Sequence, residues 1–286
     1  MTRKRLSTYI QYVTPQHLLS WFAGWLSTRR WAWFKNWQFR YFINRYNVDM
    51  SAAANPNLAD YPDFNSLFTR RLKPEARPIV TNPNAIACPA DGCVSQIGHI
   101  DADRLLQAKG FDFSLKDLLG GSAELAALFQ DGEFATIYLS PKDYHRVHMP
   151  FSGTLRETVF IPGRLFSVSQ QTALDVPRLF ARNERLVCLF ETAIGPMAVI
   201  LVGAMLVGSI RTAWGSPLPS RHIKREIYPA SGAGMLKLAR GEELGYFQMG
   251  STVITLFPKG KIAWAPTLAE MSPTLVGQNM ASLIPS

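Results

Sequence analysis

The spacing of apolar and polar positions changes rhythm along this chain. Leu18, Trp21, Phe22 and Trp25 recur at i, i+3, i+4 and i+7, and Trp33, Trp37 and Tyr41 follow at steps of four. The spacing predicts two helices, the first opened by Thr14 as cap and Pro15 as first helical residue. Residues 55–83 break the pattern with Pro56, Pro62, Pro74 and Pro78 and a charged run from Arg70 to Arg77, which reads as a connector. Residues 115–129 read as a helix interrupted at Gly120 and Gly121. Strand-like runs rich in β-branched and apolar residues then occupy 133–139, 153–161, 186–192, 197–207 and 208–214, with Gly195-Pro196 as a turn. A last pair of strands, 252–257 and 262–265, is expected across Pro258, Lys259 and Gly260. The fold class is therefore α+β, a mostly antiparallel β core with amphipathic N-terminal helices.

Composition adds that the 286 residues, 47% hydrophobic and 18% charged, are enough to bury a real core. Charge changes the picture more. No acidic residue precedes Asp49, whereas Arg3, Lys4, Arg5, Arg29, Arg30, Lys35, Arg40 and Arg45 do, so nearly all of the net +9 lies in this stretch. Five of the seven tryptophans lie there too. Residues 6–28 carry no Lys, Arg, Asp or Glu, but Pro15, His17, two glutamines and several hydroxyls make them too polar for a confident membrane span. Interfacial helices on an anionic membrane, at residues 1–48, are the expectation, with a catalytic β-rich domain at 49–286. The rival is a basic helical pair packed on its own domain. Nucleic acid is not expected, because the rest of the chain has no basic stripe. Three cysteines, Cys88, Cys93 and Cys188, without a signal peptide read as reduced thiols on the cytoplasmic side. No ligand set at zinc spacing accompanies them, so no metal is expected.

The candidate chemistry centres on Gly250-Ser251-Thr252, at the mouth of the strand 252–257. Gly250 lacks a Cβ, which lets its backbone hold a strained conformation and exposes its carbonyl to the next hydroxyl. Asp91, in Pro89-Ala90-Asp91-Gly92, reads first as a turn residue bonding its own backbone. His145 and His148 read as a metal pair, as a catalytic acid or base, or as ordinary loop residues. In order, Asp91, His148 and Ser251 are the carboxylate, imidazole and hydroxyl that serine chemistry needs, because a hydroxyl is a poor nucleophile until an oriented base takes its proton. A membrane-associated serine hydrolase stays open, although Ser251 lacks the Gly-x-Ser-x-Gly elbow. So does a structural membrane protein in which Asp91 and His148 do no chemistry.

An ordered series of stretches runs through Phe64-Asn65-Ser66-Leu67-Phe68, Arg77-Pro78-Ile79, Pro89-Ala90-Asp91-Gly92, Lys109-Gly110 and Tyr138-Leu139-Ser140-Pro141. It continues with Asp143-Tyr144-His145-Arg146-Val147-His148-Met149-Pro150, Leu165-Phe166-Ser167-Val168 and Phe180-Ala181-Arg182-Asn183-Glu184-Arg185, and closes at Gly250-Ser251-Thr252. The series resembles the short bacterial phosphatidylserine decarboxylase proenzymes. Ser169 and Arg240 depart from the pattern, where Asn and Lys are usual. The resemblance implies that Ser251, deprotonated by His148 with Asp91 orienting it, attacks Gly250. The chain is then cut into a large piece, 1–250, and a small one, 251–286, with Ser251 converted to a pyruvoyl cofactor. That group would form a Schiff base with phosphatidylserine and release carbon dioxide and phosphatidylethanolamine. His145 would supply the final proton, and Ser167 is a possible headgroup contact. A dimer of these cleaved units, attached peripherally to the cytoplasmic face of the membrane, is also implied.

Overall fold

The β-branched run after Ser251 lies in the middle of the molecule. In the computed structural model, which describes residues 6–108, 110–205, 209–215, 220–248 and 251–285, three helices lead the chain: α1 (Leu6–Val13), α2 (Gln16–Ser27) and α3 (Ala32–Tyr46). Short helices α4 (Phe64–Phe68), α5 (Leu115–Leu118), α6 (Ala123–Ala127), α7 (Gln170–Asp175) and α8 (Leu179–Arg182) follow. The strands are β1 (Ala85–Ala87), β2 (Gly92–His99), β3 (Arg104–Ala108), β4 (Phe111–Ser114), β5 (Glu133–Leu139), β6 (Arg146–His148), β7 (Gly153–Ile161), β8 (Arg185–Thr192) and β9 (Gly195–Val202). They continue as β10 (Ile210–Thr212), β11 (Lys224–Ile227), β12 (Lys237–Leu238), β13 (Glu243–Phe247), β14 (Ser251–Phe257), β15 (Ile262–Trp264), β16 (Pro273–Thr274) and β17 (Asn279–Leu283).

The main sheet has the order β11-β7-β8-β9-β14-β5-β2-β16, with antiparallel pairing throughout. Every residue of β14 is buried, because both neighbours, β5 and β9, pair along it and both faces are covered. Ile254 and Leu256 face a core closed by α5, α6, α7 and α8. Val253 and Phe257, alternating with them, face a second core. Over that face lie two small sheets, β10-β13-β6 and β1-β17-β15. The expected hairpin between 252–257 and 262–265 is not formed. β15 pairs with β17 outside the main sheet, and β14 takes β5 and β9, since its apolar and β-branched residues, Val253, Ile254, Leu256 and Phe257 among them, alternate onto both faces and gain most from burial on both.

Two further expectations change at the N-terminus. Thr14 does not cap α2; its Oγ1 donates to the Ile10 carbonyl at 2.7 Å, closing α1, and Pro15 precedes α2 with no side-chain cap. Residues 55–83 are more than a connector, because Phe64, Leu67 and Phe68 of α4 pack with Phe39 and Phe42 of α3 in a third cluster. Arg3, Lys4 and Arg5, the junction at 207–208, and Lys109 of the resemblance series lie outside the described residues.

α1 and α2 bury their polar side and expose their apolar side. Thr8, Gln11, Gln16 and Ser20 are buried, whereas Leu18, Trp21 and Phe22 are exposed, Trp21 by 67% against 3% for Gln16. Thr8 Oγ1 donates to Asp175 Oδ2 at 2.7 Å. The two glutamine carbonyls accept from backbone: Gln16 Oε1 from Leu165 N–H at 2.8 Å, and Gln11 Oε1 from Ser167 N–H at 2.9 Å. The glutamines that argued against a membrane span thus fasten the helices to loop 164–168. α3 has two apolar sides, one in the third cluster and one outside, where Trp37 stacks on Phe34 and on Tyr41. Trp33 at 74% is among the most exposed of these rings.

Candidate active site

Ser251 opens β14 directly opposite Leu139 of β5. The register has no irregularity, so Ser251 shares a face with Val253 and Leu139, the face covered by the small sheet that holds β6. The residue is fully buried, and its Oγ has no hydrogen-bond partner among the described residues. A buried hydroxyl left unpaired costs about 1–3 kcal/mol, so the hydroxyl is held there at the expense of stability. Gly250 lies outside the described residues.

His145 lies just before β6 and is fully buried; its backbone carbonyl accepts from Phe247 N–H at 3.1 Å. Its Nδ1 meets the Asp143 carbonyl at 2.8 Å, and a carbonyl only accepts, so Nδ1 carries the proton. Nε2 is left as an enclosed lone pair with no partner among the described residues. Burial pushes the imidazole down to about 3, so it is neutral near pH 7. Its ring packs on Phe68, centroids 4.1 Å apart.

His148 ends β6 opposite Glu243 of β13. Its Nδ1–H donates to the Gly241 carbonyl at 2.8 Å, which leaves Nε2 to accept from the Tyr144 hydroxyl at 3.1 Å. Burial holds this histidine below its ordinary value, against the Gly241 carbonyl and the Glu243 charge, which act the other way. Burial likewise pushes the Tyr144 phenol up to about 12, so it stays a neutral donor.

Asp91 is buried one strand away. The His148 N–H donates to the Pro89 carbonyl at 2.8 Å, so the turn bearing Asp91 lies against the backbone of His148. The expected contact between carboxylate and imidazole is not made: among the described residues no hydrogen bond joins Asp91 to His148, or His148 to Ser251. Asp91 instead forms an ion pair with Arg77, whose Nε lies 2.9 and 3.0 Å from its two oxygens, and accepts from Val276 N–H at 2.8 Å. The reading of Asp91 as a turn residue bonding its own backbone gives way to these long-range partners. Gly92 is needed here, because a Cβ would lie 2.3 Å from the Tyr138 carbonyl oxygen. Ser167 lies elsewhere, against α1, lining a cavity of about 530 Å³.

Asp91 and Tyr144 line a cavity of about 560 Å³ with Arg70, Arg77, Tyr138 and Asp143. An apolar cavity of about 360 Å³ opens between α2, α3 and α4 and is walled by Phe68, whose ring also packs on His145. Sequence reasoning missed three partners that orient the site: the Gly241 carbonyl, the Tyr144 hydroxyl and the Val276 N–H. Two of these are backbone groups, which no residue type advertises. Arg77 was visible as a charge in a run and as the head of Arg77-Pro78-Ile79, but not as the partner of Asp91.

A family model described as phosphatidylserine decarboxylase matches residues 64–282, and a second, described as PSD, matches residues 6–47. The phosphatidylserine decarboxylase proenzyme of Pseudomonas putida (strain W619) is 54% identical over 281 residues, covering 98% of each chain. That of Ectopseudomonas mendocina (strain ymp) is 53% identical over 278 residues, covering 96% of this chain and 97% of its own. That of Pseudomonas fluorescens (strain SBW25) is 52% identical over 282 residues, covering 98% and 99%. With a buried serine at the head of the central strand, a buried and a half-buried histidine in the layer over it and relatives matched from end to end, the chain belongs to the phosphatidylserine decarboxylase family.

Proposed function

We propose that this protein decarboxylates phosphatidylserine to phosphatidylethanolamine, after cutting its own chain between Gly250 and Ser251 and converting Ser251 to a pyruvoyl group. The observation that carries the reading is the Ser251 hydroxyl, enclosed at the head of β14 and unpartnered among the described residues, on the face covered by the small sheet whose strand β6 has His145 just before it and His148 at its end. In this reading His148 takes the Ser251 proton at Nε2, and the oxygen attacks the Gly250 carbonyl. The peptide becomes an ester, and elimination of the Gly250 carboxylate with the Ser251 α-proton leaves dehydroalanine. Its enamine becomes an imine, and water releases ammonia. Tyr144 must give up its bond to His148 Nε2, or pass the proton along it.

The site fits the group. Conversion replaces the Ser251 hydroxymethyl by a methyl, which removes the unpaired buried oxygen and suits the apolar face of Val253 and Leu139. The pyruvoyl group supplies a ketone that takes up the substrate amine and withdraws the electron pair freed as carbon dioxide leaves. In this reading His145, whose Nε2 is unpartnered among the described residues, carries the proton that goes to the carbon that lost its carboxylate. Burial of this imidazole keeps bulk water from supplying that proton.

Membrane attachment is part of the proposal. Among the described residues no helix is long and apolar enough to cross a membrane, and the exposed rings of α1, α2 and α3 with their cations support a peripheral protein on the anionic cytoplasmic face. The apolar cavity that ends on Phe68 supports a lipid substrate reaching His145 from that side. A serine hydrolase would need its hydroxyl open to an external ester, and Ser251 is closed.

Intact mass of active protein tests the reading. Two pieces meeting between Gly250 and Ser251, the small one bearing a carbonyl in place of its first amine, are expected. Ser251→Ala should remain one inactive chain, and His148→Ala should mature slowly or not at all. A single uncut chain with full activity would overturn the proposal.

A further inference from the structure

The tail beyond β15 carries no motif, yet it returns to the carboxylate of Asp91. β16 pairs with the start of β2, Thr274 opposite Gly92. Thr274 Oγ1 donates to the Ala90 carbonyl at 3.0 Å, and Val276 N–H donates to Asp91 Oδ1 at 2.8 Å. The next two residues bracket Cys88: Gly277 N–H donates to its carbonyl at 2.9 Å, and its own N–H donates to the Gln278 carbonyl at 2.8 Å. The tail therefore bonds the 88–92 turn at four places, one of them the side chain of Asp91.

The same tail holds the other partner of that carboxylate. Val80 N–H donates to the Gly277 carbonyl at 2.8 Å, so the tail bonds the irregular segment that follows Arg77. Gly277 has φ of 85°, and a Cβ there would lie 2.7 Å from both the Pro78 carbonyl oxygen and Ile79 Cδ1. Only glycine meets both demands. Thr274 and Val276 are each 2% exposed, so these contacts are closed to water.

We propose that residues 273–278 are a positioning element for Asp91, a clasp that fixes the carboxylate together with Arg77 so that self-cleavage waits until the tail has docked. The inference rests on the cleavage reading above. It assigns a task to the small piece beyond carrying Ser251: the tail supplies a backbone N–H to a carboxylate of the large piece. The physical sense is one of order. Cutting is irreversible, and β16 and β17 follow Ser251 in the chain; a chain cut before they dock would lose the piece whose ladders to β1 and β2 keep it bound.

Arg77 and residues 273–278 act through Asp91, so they are positioning groups, and the test reads His148 as well as rate. The groups facing His148 are Tyr144 on its Nε2, Glu243 across β13, Arg146 on its own strand, and Asp91 with Arg77 behind it. The Asp91 charge raises the proton affinity of His148, so withdrawing it lowers the midpoint at which that ring titrates.

Cleavage would be timed by intact mass in freshly synthesised wild-type protein, Gly277→Val, Arg77→Gln, Arg77→Lys and Thr274→Val. The His148 ring would be titrated by NMR in the uncut Ser251→Ala chain, with and without Gly277→Val, and beside Asp91→Asn. Gly277→Val and Arg77→Gln are expected to slow cleavage at least about tenfold, the scale of a lost charge-assisted hydrogen bond. Arg77→Lys should recover part of the rate, and Thr274→Val, which only removes one hydroxyl, should slow it a few-fold. Gly277→Val should move the His148 midpoint downward, as Asp91→Asn does. Wild-type cleavage in both strong variants, or slow cleavage with the His148 midpoint unmoved, would overturn the clasp. An unfolded Gly277→Val leaves the decision to Thr274→Val, whose wild-type rate would also overturn it. If wild-type protein is active yet never cut, the cleavage reading itself fails, and the intact mass of that one sample separates this outcome from the others.

Discussion

The N-terminal helices and the central strand are inverted in opposite ways. α1 and α2 bury Thr8, Gln11, Gln16 and Ser20 and expose Ile10, Val13, Trp21 and Phe22. β14, inside the main sheet, encloses the hydroxyls of Ser251, Thr252 and Thr255 without partners among the described residues, and Thr136 beside them on β5 is the same. Ordinary domains put apolar groups inside and pair the polar groups they bury. Each departure costs free energy, and each is where the proposed function needs it: an apolar surface to meet lipid, and a dry serine to react with its own backbone. Between them lies the apolar cavity walled by Phe68, with His145 on the far side of that ring.

Stripping the outer surface should give the largest effect. Replacing Trp21, Trp25, Trp33 and Trp37 together by Gln is expected to weaken sedimentation with phosphatidylserine-containing vesicles at least about a hundredfold, since each buried ring contributes on the order of 1.5–3 kcal/mol. Cleavage should proceed as before, because these rings touch neither histidine. Unchanged vesicle binding would mean that the exposed face meets something other than lipid.

Acid should come next. The unfolded chain binds a proton at His145 near its ordinary value, and the folded chain does so only at about 3. Unfolding therefore takes up a proton between these values, and stability that is whole above about pH 6.5 falls by up to about 1.4 kcal/mol per pH unit below it. His148, also held low by burial, adds in the same direction. Urea melts of Ser251→Ala from pH 7.5 to 4.5 should show this slope, and His145→Phe should flatten it. An equal slope in both proteins would mean that His145 is not held neutral.

Gln16→Leu tests the inner side of α2. It makes the helix more apolar but leaves the Leu165 N–H unpaired, so a loss of about 1–3 kcal/mol is expected in the same melts. A gain would show that the helix is fastened by greasy contact alone. The smallest effect should come from Thr255→Val, which removes an unpaired buried hydroxyl at nearly constant volume. Stability should stay level or rise by about 1 kcal/mol, a shift of about 2 °C in Tm for a chain of this size. A clear loss would mean that the hydroxyl has a partner in solution.

Local signals made much of the fold legible. The runs at 133–139 and 153–161 became β5 and β7 with the same limits, and the break at Gly120 and Gly121 separates α5 from α6, both glycines having φ near 80°. The strand expected at 262–265 was found, but its partner was not the one expected, because sequence neighbours pair only when no better surface is offered; β5 and β9 offered β14 two flanks. Within the site, the residue types were legible and the wiring was not. Asp91 and His148 do stand on touching segments, but Arg77, 14 residues upstream, and Val276, 185 residues downstream, take the carboxylate.

By itself, then, the sequence determined the N-terminal helices and the long strands at 133–139, 153–161, 186–192 and 252–257, the concentration of charge and tryptophan before Asp49, and which side chains are able to do serine and imidazole chemistry. Those are properties of residue types and of short-range period. The tertiary structure decided which side of α1 and α2 faces outward, that β14 is central, that Gly241 and Tyr144 set the tautomer of His148, and that the tail clasps Asp91. These depend on backbone N–H and carbonyl groups, which every residue carries alike, and on contacts between segments far apart in the chain.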